Sequence, residues 1–155
     1  MRIRLLSTFL LSTLAALASP PGALAADSYT MHDYERVPKI DAHLHLHGLE
    51  QGPFLELARK ANFRALTINV DYPVFPALEQ QQRVASKLHH EHPATVGWIA
   101  SFSANNLLQP AWVPATLHRL DAALQDGAVG VKVWKNIGMS VRDAQGRLVM
   151  VDDER

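Results

Sequence analysis

The chain has 155 residues, 48% of them apolar and 19% charged, with fifteen basic residues balancing fifteen acidic ones. That composition suits a folded globular protein with enough residues to bury a core, and excludes a disordered chain. The balanced charge gives no footing for nucleic acid or an anionic membrane, and the absence of cysteine excludes disulfides and thiolate zinc sites.

Residues 1–25 read as a secretory signal peptide. Arg2 and Arg4 form a basic start, Leu5 to Ala18 is an apolar run, and Ala23-Leu24-Ala25 supplies a small-x-small cleavage site. The run is shorter than the roughly 20 apolar residues needed to span a bilayer, so export with cleavage after Ala25, to the periplasm or the medium, is expected. No membrane span is expected in the mature form. Its thirteen basic and fifteen acidic residues imply no charged partner.

Residues 26–36 lack periodicity and read as a leader to a domain at 37–155. Val37 to Leu44 is a short apolar run with polar residues after it, the pattern of a strand. Pro53 to Ala61 carries Phe54, Leu57, Ala58 and Ala61 at helical spacing. Phe63 to Val70 is β-rich. Pro76 to Glu91 reads as a helix with Leu78, Ala85 and Leu88 on one face and the Gln80-Gln81-Gln82 run on another. Thr95 to Phe102 is again strand-like. Pro114 to Gln125 is a helix with an apolar stripe of Val113, Leu117, Leu120 and Leu124, closed by Gly127. Ala128 to Trp134 reads as a fourth strand. Beyond it, Leu148-Val149-Met150-Val151 and the turn residues before it predict a small hairpin excursion near Gly146.

Strands alternating with helices predict an α/β unit with parallel pairing, and near-continuous apolar strands predict that both sheet faces are covered. The pattern fits either an open doubly wound sheet or part of a closed barrel.

His43-Leu44-His45 carries the chemistry. Side chains alternate along a strand, so two His at i and i+2 project to one face, and neutral imidazole is the commonest metal ligand. Asp41 falls on the same face by that alternation, as an orienting group or a cap on the barrel floor. His47 continues the series into the loop. Lys132 and Trp134 point away from Val131 and Val133. A Lys directed into a barrel needs a partner. From the residues alone it reads as a contact to substrate or anion, or as a structural ion pair. Asp71 and Trp134 are candidate substrate contacts, and Ser101 and Ser103 end the third strand. His89, His90 and His92 close a polar helix and read as solvated.

The run Lys39-Ile40-Asp41-Ala42-His43-Leu44-His45 resembles the start of the amidohydrolase superfamily, within the amidohydrolase-related group of metal-dependent hydrolases, lactonases and decarboxylases. Gly127 to Gly138 is similar to that group's fourth strand. The resemblance implies a TIM-type (β/α)8 metal-dependent hydrolase barrel, of which residues 37–155 form the half with strands one to four. It implies a zinc ion, or manganese, at His43 and His45, with Lys132 as a tentative carboxylated bridge. It further implies that metal-activated water attacks an amide, ester or lactone, with a general-base Asp beyond residue 155. Two alternatives follow: a non-oxidative decarboxylase of the same fold, or a catalytically inert half barrel.

Overall fold

A computed structural model describes residues 28–48 and 50–153; the signal-peptide expectation lies outside them. Four strands and three helices alternate: β1 (Lys39–Leu44), α1 (Gly52–Lys60), β2 (Phe63–Ile68), α2 (Leu78–Glu91), β3 (Val96–Ser101), α3 (Trp112–Gln125) and β4 (Val131–Lys132). All neighbours are parallel, in the order β1-β2-β3-β4, and the sheet curls into a half-barrel. Among the described residues, no helix is long and apolar enough to cross a membrane.

The three helices share one face of the sheet. Leu46, Leu55, Val84, Leu88 and Val96 pack together there, joining the end of β1 to α1, α2 and β3. A second cluster, Ala85, Trp98, Ala100, Ala123 and Ala128, joins α2 and α3 to β3. Val96, Trp98 and Ala100 alternate as buried residues along β3 and so define the helix side. Residues at the intervening positions face the other side, where a barrel has its interior.

Three expectations need correction. Gln81 lies in the core, 1% exposed, because its amide meets buried main chain that an apolar residue would leave unpaired. The stripe on α3 is rotated: Ala123 is buried and Leu120 half-buried, while Val113, Leu117 and Leu124 are exposed. The small Ala123 lets the helix approach Trp98 closely, and that approach sets its rotation. The regular part of the predicted fourth strand is short: Val131 and Lys132 are in register with β3, while Val129 N–H donates to Trp98 O at 2.9 Å and Gly130 O accepts from Ala100 N–H at 3.0 Å before it. The helix side of β4 is open, with Val131 40% exposed.

The ends of the elements follow their residue chemistry. Pro53 sits in the first turn of α1, where its missing N–H costs nothing. The α3 terminus is a Schellman motif, with Gly127 N–H donating to Leu124 O at 3.2 Å and Ala128 N–H to Ala123 O at 2.9 Å. Gly127 has φ +97°, and a Cβ there would lie 2.8 Å from the His89 ring, so only glycine fits. Beyond β4, Arg142 and Leu148 form an antiparallel bridge and Gly146 turns at φ +78°, as the predicted hairpin requires.

Candidate metal and substrate site

The β1–β2 register shifts by one residue. Asp41 pairs with Ala65 and Leu44 with Thr67, so β1 spends three residues where β2 spends two. This is a bulge at Ala42–His43. It breaks the alternation expected from Asp41 to His43, and Asp41 falls on the helix side with Ala65 and Leu44. A bulge frees a main-chain N–H that must find a partner. Asp41 provides it: His43 N–H donates to Asp41 Oδ1 at 2.9 Å. Asp41 therefore holds His43 through the main chain.

His43 and His45 flank Leu44, so they share the face away from the helices. Their ring centroids lie 5.4 Å apart in an edge-to-face arrangement. Two imidazoles on one tetrahedral zinc, each about 2.1 Å from the ion, have centres about 5 Å apart, so this spacing fits a shared ion. His45 Nδ1 lies 2.7 Å from Ile68 O. A carbonyl accepts only, so Nδ1 carries the proton and Nε2 keeps the lone pair a cation needs. Thr67 fixes the chain just beyond: Leu46 N–H donates to its buried hydroxyl at 2.9 Å.

His47 ends the series in a tighter setting. Its ring lies nearly parallel to that of His45, 5.8 Å away, and 4.5 Å from Phe75. Its Nδ1 is buried and meets no hydrogen-bond partner among the described residues. Burial, and then the neighbouring His45, holds the imidazole below its ordinary pKa.

Lys132 takes the same sheet face as the histidine pair. It pairs with Ser101, whose hydroxyl donates to Lys132 O at 2.9 Å. Two strands separate β4 from β1, which is about 14 Å along the sheet at ~4.8 Å per step, shortened across the curl. Among the described residues, no three His, Asp or Glu gather into a metal-binding group.

Asp71 and Trp134 come together in one cavity of about 660 Å³ at the C-terminal ends of β2 and β4. Tyr72, Phe75 and Lys135 line it too. Asp71 accepts a hydrogen bond from the Ser103 hydroxyl at 2.8 Å, and Trp112 Nε1 donates to Ser103 O at 2.9 Å. The ends of β2 and β3 are tied together in this way, and Ser103 acts by holding Asp71. Phe75 connects the cavity to the histidines, with its ring 5.0 Å from His45 and 6.0 Å from Tyr72.

The sequence reading missed Gln81. Its Oε1 accepts from Val70 N–H at 2.9 Å, and its Nε2 donates to Val70 O at 2.9 Å and Pro76 O at 2.5 Å. One side chain thereby anchors both ends of the loop that carries Asp71, Tyr72 and Phe75. The histidines on α2 behave differently from one another. His90 is exposed, but half-buried His89 places Nδ1 2.8 Å from Val96 O and supports the β3 entry.

Compared with models of protein families, with curated proteins and with solved structures, the chain matches none.

Proposed function

We propose that this chain carries the first half of a (β/α)8 metal-dependent hydrolase site of the amidohydrolase type, acting on an amide, ester or lactone. The observation that carries the reading is the His43–His45 pair: two imidazoles on one sheet face, 5.4 Å apart, with His45 oriented by a main-chain carbonyl so that Nε2 is free. Sites of such barrels gather at the C-terminal strand ends, where this pair and the Asp71–Trp134 cavity both lie.

His43 and His45 would hold a divalent ion, zinc or manganese, which when bound would lower the pKa of water and polarise a carbonyl. The chain's own residues do the rest of the positioning. Asp41 fixes the His43 main chain, the Ile68 carbonyl fixes the His45 tautomer, and Thr67 locks the strand end between His45 and His47. Phe75 packs against His45 and His47 from one side. Lys132 faces the same interior as a further candidate ligand or anion contact. The remaining ligands and the general base are proposed to lie outside residues 28–153.

The full-length protein is expected to hydrolyse members of an ester, lactone and amide panel, to lose that activity on chelation, and to regain it with zinc or manganese. Carbon dioxide release from carboxylates without hydrolysis would replace this reading with the decarboxylase one. A change from two metals to one in Lys132→Ala would assign Lys132 as a bridge; an unchanged count would assign it elsewhere.

A further inference from the structure

The cavity beside the histidines has a chemical character of its own, and we propose that it binds the aromatic ring of a neutral aryl amide or aryl ester. The inference rests on the hydrolase reading and adds the substrate class. About 660 Å³ lies within the usual range for small-molecule sites, roughly 300–1,000 Å³. Three aromatic rings line it, drawn from two loops far apart in sequence: Tyr72 and Phe75 after β2, and Trp134 after β4.

The Tyr72 ring lies 6.0 Å from Phe75 and 5.7 Å from Trp134, tilted by 54° and 53°. Those separations are the range of favourable aromatic pairs, which prefer inclined or offset rings to face-to-face stacking. A planar guest entering the hollow meets π-faces and edges at several angles. These rings are not used up by the core, since Tyr72 is 44% exposed. Phe75 also touches His45, at 5.0 Å, so a guest ring against Phe75 lies one ring away from the histidine pair.

The polar lining selects within the aromatic class. Asp71 and Lys135 contribute one charge of each sign, and Lys135 Nζ lies 5.3 Å from the Trp134 ring centroid. A lone carboxylate or ammonium on the guest would meet attraction and repulsion together, so a neutral guest is favoured. Asp71 and Asn136 offer an acceptor and a mixed donor–acceptor for the two ends of an amide group.

The test is a binding titration of the full chain in EDTA, followed by saturation-transfer NMR, with acetanilide as the probe. N-cyclohexylacetamide, of the same size without a π-system, and benzoate are the comparators. Acetanilide is expected to bind about tenfold more tightly than either, and Trp134→Leu and Tyr72→Leu each to weaken it about fivefold. Tyr72 is on the surface of the loop, so its variant serves if Trp134→Leu misfolds. Equal binding of acetanilide and the cyclohexyl amide, no binding of acetanilide, or wild-type affinity in Tyr72→Leu would overturn the inference. Because EDTA removes any metal, these outcomes are independent of whether His43 and His45 hold an ion.

Discussion

The stretch from β1 to α2 and the stretch from α3 to β4 repeat one strand-and-helix alternation but bury it differently. In the first, branched aliphatic residues interlock: Leu46, Leu55, Val84 and Leu88 are all in the core, with Val96 of β3 against them. The second contributes only Ala123 and Ala128 to the core, which join Ala85 of α2 and Ala100 of β3 around Trp98, while Val113, Leu117, Leu124, Val129 and Val131 stay exposed. Both stretches contain enough apolar residues to fill a core. What separates them is which face another element covers. The candidate site follows the same division, because its histidines and its anchored loop belong to the well-packed stretch, whereas Lys132 and Trp134 reach it from the open one.

The comparison is broken most easily at Trp98, the point where the two stretches meet. Trp98→Ala is expected to cost about 3–5 kcal/mol in chemical denaturation, by lost transfer energy and an unfilled cavity. Leu117→Ala, although it truncates an apolar residue of the predicted stripe, should stay within about 0.5 kcal/mol, because Leu117 is 56% exposed. Similar losses for the two would show that α3 is packed through the stripe after all.

Gln81 sharpens the comparison next. Gln81→Ala leaves Val70 N–H and C=O buried without their partner, at about 1–3 kcal/mol. Hydrogen exchange should rise at Val70 and in the Asp71–Phe75 loop, while α3 is unchanged. A loss of protection spread over both stretches would contradict the role assigned to this one side chain.

The smallest effect belongs to the hairpin after β4. Burial alone raises the Asp143 carboxyl pKa. The Arg147 N–H and side chain, the Gln145 N–H and the Arg147 charge outweigh burial and bring it below the ordinary 3.8. A depressed folded-state pKa means that the stabilisation is fully present above 3.8 and is lost as pH falls through the lower folded value. Amide exchange at Gln145 and Arg147 should therefore accelerate only under acid conditions below that value, and Asp143→Asn should remove the acid step.

Much of this was legible in the sequence, and the failures have physical causes. Alternation and apolar runs located all four strands and three helices, because period and turn chemistry are local properties. The His43–His45 pair was legible for the same reason, since residues flanking Leu44 share a face whatever precedes them. Asp41 was misplaced because a bulge is a property of two strands in register, and one strand's spacing does not contain it. Gln81 was set with the Gln run on another face from Leu78, Ala85 and Leu88 because its partner, the Val70 main chain, becomes a neighbour only when α2 docks. The α3 stripe failed because burial is decided by the covering element, and Ala123 fits against Trp98 where a leucine does not.

The central claim is that His43 and His45 hold a divalent ion. Elemental analysis of the purified full-length protein and of His43→Ala and His45→Ala tests it most directly. The account predicts bound zinc or manganese in the parent protein and loss of that metal in each variant, with circular dichroism unchanged. Metal retained at the parent level in both variants, or no metal in the parent after reconstitution, would contradict it.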